Sequence, residues 1–168
     1  GKNSHQIIEA DSGLSLAVKG EINKAIAVND AKQFYLMTRE DLFASLGQIH
    51  DDEHRMNLSY LYSTLRDTSA SANYIYEKSK IYSSKSVYPV SPIGKQLKTV
   101  ASFICSGLET SVYYVSHNGF DTHVSQTGKH SNLLSQLDEG LNVFVNELKD
   151  KNQWKDTLVL VFSEFGRR

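Results

Sequence analysis

The sequence has little cysteine, no excess of one charge and no long apolar run. Its 168 residues include one cysteine, Cys105, which excludes an internal disulfide and a zinc site built from several cysteines. The formal net charge of −1 gives no broad basic surface for nucleic acid. No segment approaches the ~20 apolar residues of a membrane span, and the polar start Gly1–His5 lacks the regions of a signal peptide. The composition therefore predicts one domain over residues 1–168, without a membrane span. Any partner that binds through charge is expected to bind a local group of charged residues.

What is present is a strand–helix–strand pattern near the end of the chain. Apolar runs at 111–115 and 157–162 flank a segment, 131–149, whose apolar residues recur every three or four positions. This pattern is typical of a βαβ unit, so we expect two parallel neighbouring strands joined by a right-handed crossover. The predicted fold class is α/β, a parallel sheet flanked by helices. Because two parallel strands are not stable alone, we expect further strands either from earlier in this chain or from sequence beyond it. The chain stops at Arg168, six residues after the second apolar run, so we also expect it to be a fragment of a longer one.

The first part of the chain predicts short extended pieces. Apolar segments at 14–18, 25–28 and 34–37 are separated by glycine or by Asn29-Asp30, which favours short strands or loops.

Helices are predicted between these pieces and the final unit. Capping signals occur at Thr38 and at Ser91-Pro92, and Gly107 is a stop signal. The stretch 67–73 either bends the second helix or ends it. The predicted helices span residues 39–50, 52–66 and 92–106.

Polar side chains follow both runs of the final unit. His117, Asp121 and His123 follow the first run, and His130 comes just before the predicted start of the next helix at Ser131. Imidazoles and a carboxylate are metal ligands or acid–base groups. The spacing alone does not decide between these roles.

The second run continues into Ser163, Glu164 and Arg167. An arginine fork suits phosphate or sulfate oxygens, and Glu164 adds a carboxylate. Because the carboxyl ends of parallel strands share one edge of a sheet, we expect both polar segments to meet there. Such a site suits hydrolysis or transfer of a phosphate or sulfate ester.

These segments resemble a known family. The stretch His-Asn-Gly-Phe-Asp-Thr-His at 117–123 and the ending Leu-Val-Leu-Val-Phe-Ser-Glu-Phe-Gly-Arg at 158–167 are similar to the bacterial family called domain of unknown function 1501. That family is sulfatase-like and is placed in the alkaline phosphatase superfamily. The resemblance implies part of an alkaline-phosphatase-like three-layer sandwich and a periplasmic or secreted location.

The resemblance also implies roles for individual residues. Asp121 matches the strand-end aspartate that binds a metal, and Glu164 stands where catalytic relatives carry an aspartate. His123 is the third candidate ligand, although its spacing from Asp121 departs from the superfamily's Asp-x-x-x-His. The implied ion is a divalent zinc, calcium or manganese. Glu164 and Arg167 are the candidate catalytic residues, and the implied substrate is a small anionic ester or a glycan. The family's nucleophile region is absent here, so we expect residues 1–168 alone to lack hydrolase activity.

These residues also have purely structural interpretations. Asp121 beside Gly119 is also a common turn former, and Glu164 and Arg167 can pair with each other. Phe165 stands where catalytic relatives carry a histidine. The leading hypothesis is therefore a fragment of a metal-dependent ester hydrolase, and the alternative is a non-catalytic member of the same fold that binds a ligand or serves as a structural surface protein.

Overall fold

A small parallel sheet lies at the centre of the fold. The computed structural model describes residues 6–19, 25–39, 56–122 and 126–163. Within these ranges three strands pair in parallel, and the first strand in the chain lies in the middle. The strands are β1, Ile7–Glu9; β2, Ala25–Ala27; and β3, Val112–Tyr114, in the order β2-β1-β3.

Helices flank this sheet, which confirms the predicted α/β class. The α-helices of the described residues are α1, Ala31–Met37; α2, Met56–Ser79; α3, Pro92–Cys105; and α4, Gln126–Asp150. Short 3-10 helices span Leu16–Val18 and Trp154–Asp156.

The core consists of two apolar clusters. In the first, α3 packs against α4, where the fully buried Ala101 and Leu148 lie. In the second, Ile8 of β1 packs against α1, α2 and the end of α3; its buried members are Ile8, Val28, Ala31, Ile75, Phe103 and Leu108. Tyr113 of β3 contacts both clusters, so the sheet and both helix pairs share one continuous core.

The boundaries of α3 follow the sequence signals closely. Ser91 is extended, and its hydroxyl accepts a hydrogen bond from the Gly94 backbone N–H at 3.2 Å. Pro92 occupies the first helical position, where a missing N–H has no cost. Gly107 has a φ of 70°, the left-handed conformation that ends many helices. The predicted helix at 92–106 is confirmed, as is the strand within 25–28.

Ser91→Ala should destabilise the protein by about 1 kcal/mol, because the buried Gly94 N–H loses its acceptor. Ser131→Ala is the matched control. That serine stands at the predicted helix start, but it is exposed inside α4, where alanine is the better helix former. Urea unfolding of both variants should show a loss for Ser91 and none for Ser131; equal losses would refute the cap.

The second run of the predicted βαβ unit differs from expectation. Residues 157–162 form no strand, and Leu158 and Leu160 are 92% and 78% exposed. A strand that is apolar on both faces needs a hydrogen-bonded neighbour and two covering layers. The three-stranded sheet of the described residues does not supply them. The prediction that 157–162 pairs with 111–115 in one sheet is therefore wrong for this structure, although 111–115 does contain β3.

Other boundaries also moved. Residues 34–37 lie in α1, because Asp30 caps that helix by accepting from the Gln33 N–H at 2.9 Å. The predicted 52–66 helix continues without a break to Ser79. The predicted 131–149 helix begins earlier, at Gln126. The helix predicted at 39–50 falls almost entirely outside the described residues.

Candidate functional site

The carboxyl ends of the strands form one level edge. Glu9 of β1 lies opposite Ala27 of β2 and Tyr114 of β3. Because β2 and β3 lie on opposite sides of β1, the chain leaves the sheet toward both sides at this edge. Such a change of direction opens the crevice in which α/β proteins bind ligands. The carboxyl edge of the sheet is therefore the candidate ligand-binding region.

Two loops at this edge are joined by a glutamine that the sequence did not single out. The Gln96 side-chain amide on α3 donates to Asp11 Oδ2 at 3.3 Å, and its oxygen accepts from the Ser116 backbone N–H at 3.1 Å. Asp11 follows β1, and Ser116 follows β3. Gln96 is 85 positions away from Asp11 in the chain, so the sequence did not predict this contact. The only sequence signal for a strand before Asp11 was the short apolar pair Ile7-Ile8.

A buried carboxylate ends the central strand. Glu9 is 1% exposed, and its Oε2 accepts from the Ser15 backbone N–H at 2.7 Å. This contact folds the loop after β1 back over the end of the strand. The sequence did not predict β1, so it did not predict this residue either.

The loop after β3 carries the motif His117–Thr122 and is bound to α4 by histidines. His117 Nε2 lies 2.9 Å from the Leu133 carbonyl oxygen, and His130 Nε2 lies 2.9 Å from the Phe120 carbonyl oxygen. A carbonyl only accepts, so Nε2 is the protonated donor in both rings. The His130 N–H also approaches Thr122 Oγ1, at 3.1 Å.

Aromatic packing reinforces these hydrogen bonds. The Phe120 ring contacts both imidazoles, with centroid distances of 5.3 Å to His117 and 5.5 Å to His130. Gly119 turns the loop with a φ of 102°, and a Cβ there would contact the Leu133 side chain at 3.5 Å. The loop therefore packs closely on the first turns of α4.

Of the predicted metal ligands, only Asp121 is among the described residues. It is exposed in the loop between β3 and α4. His123, Glu164 and Arg167 lie outside the described ranges. In the part of the chain that the structure describes, no three His, Cys, Asp or Glu side chains are arranged to hold a metal ion.

The second polar segment begins next to the end of β3. The rings of Phe162 and Tyr114 are 6.4 Å apart, although no backbone ladder joins their segments. Phe162 directly precedes Ser163, and Tyr114 directly precedes the loop that carries His117 and Asp121. The apolar runs 111–115 and 157–162 are thus in contact through these two rings without the predicted strand pair.

Cys105 has the character of a core residue. It is half-buried and packs against the α3–α4 cluster. Burial raises the pKa of its thiol, with a further increase from the carboxylate of Glu147. A thiol of raised pKa is mostly protonated at neutral pH and is a weak nucleophile.

These features define a protein of the α/β class with a candidate ligand edge at the carboxyl ends of parallel strands. A family model described as "Protein of unknown function (DUF1501)" matches residues 99–168. The match covers less than half of the chain and includes β3, its loop and α4, and it supports the DUF1501 family for this part. No curated protein and no solved structure matches the chain. Among the described helices, none has the length and apolar character needed to cross a membrane.

Proposed function

We propose that this chain is a fragment of a metal-dependent, sulfatase-like or phosphatase-like hydrolase that acts on sulfate or phosphate esters. The observation that supports it best is the exposed Asp121 in the loop that leaves the carboxyl end of parallel strand β3. That position lies in the region matched by the family model. In this proposal the substrate is a small anionic ester or glycan, and the protein is periplasmic or secreted.

The described residues supply one ligand toward a divalent ion. Asp121 is an exposed carboxylate, and carboxylate oxygen suits zinc, calcium and manganese. One carboxylate does not make a metal site. The proposal assigns the remaining ligation to His123 and Glu164 and the binding of the substrate anion to Arg167.

A second candidate function has its own support. The Nε2 atoms of His117 and His130 donate to backbone carbonyls and so hold the loop on α4. With Phe165 in place of a metal-binding histidine, these contacts favour a non-catalytic relative that keeps the fold for ligand binding or as a structural surface.

Asp121→Ala should weaken binding of zinc, calcium or manganese at least tenfold, because a charged oxygen ligand is lost. Isothermal titration calorimetry with each metal chloride in turn measures this on the 168-residue chain. Asp138→Ala, which removes an exposed carboxylate from α4, is the control and should leave affinity unchanged. If no metal binds the parent chain, the hydrolase proposal fails and the non-catalytic candidate is favoured.

A further inference from the structure

The loop after β3 is fastened to α4 by two hydrogen bonds that run in opposite directions. His117 in the loop donates to the helix at the Leu133 carbonyl, and His130 in the helix donates to the loop at the Phe120 carbonyl. Phe120 packs against both imidazoles. We call His117, Phe120 and His130 the histidine clasp.

The clasp anchors the chain on both sides of Asp121. His130 Nε2 contacts the Phe120 carbonyl at 2.9 Å and the Thr122 hydroxyl at 3.1 Å. These two residues are the direct chain neighbours of Asp121. When both neighbours bind the same side chain, the direction of the intervening Cα–Cβ bond is restricted even though the carboxylate itself is exposed. The position of Asp121 thus depends on a side chain nine residues further along the chain.

We propose that His117 and His130 are positioning residues that hold Asp121 at the carboxyl edge of the sheet. This inference rests on the proposed function, in which Asp121 binds a divalent metal. Nε2 of each clasp ring carries a proton that it donates to a carbonyl, so this nitrogen has no free lone pair for a metal and only Nδ1 keeps one. Groups that orient a metal ligand typically change metal affinity by about 10-fold to 100-fold.

His130→Gln and His130→Ala separate positioning from ligation. The glutamine amide can donate to the Phe120 carbonyl as Nε2 does, but an amide is not a usual zinc ligand. Alanine removes the donor altogether. Lys129→Ala, at the exposed neighbouring position on α4, is the control. Zinc affinity is measured by calorimetry, and the order of residues 118–122 by backbone ¹⁵N relaxation, which needs no metal.

The alanine variant should bind zinc about 10-fold to 100-fold more weakly. Its order parameters over 118–122 should fall from about 0.85 toward about 0.6. The glutamine variant should keep most of the affinity and the order, and the Lys129 control should keep both.

Other results overturn the proposal. Equal loss of zinc in both His130 variants with unchanged order parameters would identify His130 as a direct ligand. Unchanged order in the alanine variant would show that the clasp does not hold the loop. If the parent chain binds no metal, the proposed function fails, and the clasp is judged by the order parameters alone: a fall with alanine and rescue by glutamine supports it, and no change overturns it.

Discussion

Gly94→Ala should destabilise the protein by about 3 kcal/mol, although alanine is the better helix former. A Cβ at this position would lie 2.3 Å from the Pro89 carbonyl oxygen and 3.1 Å from its carbonyl carbon. Both atoms belong to the backbone, so relief requires the segment before α3 to move. That movement would also disturb Ser91, whose hydroxyl accepts from the Gly94 N–H.

Two other helical glycines allow the cost of a glycine-to-alanine substitution to be compared at positions with more space. A Cβ at Gly140 would meet the end of a flexible side chain, Leu97 Cδ1, at 3.0 Å and would lie in ordinary contact with the Gly94 Cα at 3.9 Å, whereas a Cβ at Gly128 would meet nothing within 4 Å. We expect Gly140→Ala to cost about 1 kcal/mol and Gly128→Ala to be neutral or stabilising. The urea concentration at the unfolding midpoint should be highest for Gly128→Ala, lower for Gly140→Ala and lowest for Gly94→Ala. A Gly94 variant as stable as the parent would refute the close approach of α3 to its preceding loop.

Local sequence signals predicted the elements whose ends they mark. The helix α3 was predictable because Ser91-Pro92 and Gly107 act on adjacent backbone groups, and the structure shows both acting there. The strand β1 was not predicted, since Ile7-Ile8 is only two apolar residues long and Glu9 beside them is buried against expectation. A three-residue strand depends on its neighbours in space, and these are distant in sequence.

The same distinction applies to the candidate site. The sequence predicted a polar loop after a strand at 111–115, and the structure places Asp121 in that loop. It did not predict that His130 binds the loop, because periodicity placed the helix start after that residue. Gln96 gave no signal, since its partners Asp11 and Ser116 belong to two different loops. Side chains that connect separate elements depend on the three-dimensional arrangement.

Glu147 shows a signal that sequence reasoning overlooked. It lies one turn after Phe144 and beside Leu148, on the apolar face of α4, and it is 4% exposed. An acidic residue on a buried helix face needs hydrogen-bond donors. Tyr88 donates to Oε2 at 2.6 Å and Tyr82 donates to Oε1 at 2.8 Å. Both tyrosines belong to the segment between α2 and α3, so the carboxylate fastens that segment to α4.

Glu147→Ala should lower the free energy of unfolding by about 4 kcal/mol, because it leaves two tyrosine hydroxyls without their acceptor. Glu139→Ala, which removes an exposed carboxylate from the same helix, is the control and should stay within about 0.5 kcal/mol of the parent. Replacing Glu147 together with both tyrosines, as Glu147→Leu with Tyr82→Phe and Tyr88→Phe, should regain part of the loss, since the tyrosine hydroxyls are then gone and only Ser84 and Ser86 lack the carboxylate. A small effect of Glu147→Ala would contradict the fastening role.

The charge on Glu147 also gives this prediction a pH dependence. Burial alone raises the pKa of the Glu147 carboxyl, but hydrogen bonds outweigh it and leave the pKa below its ordinary value of 4.5. The donors, in order of decreasing effect, are Tyr88, Ser84, Tyr82 and Ser86. Because the folded pKa is the lower one, the unfolded chain binds more protons, so the stabilisation is complete above about pH 4.5 and is lost as the pH falls through the folded value. Unfolding measured between neutral pH and pH 3 should therefore show a loss in the parent that is smaller in Glu147→Gln, which has no carboxyl to protonate; parallel curves for the two proteins would show that the carboxylate is not held in its charged form.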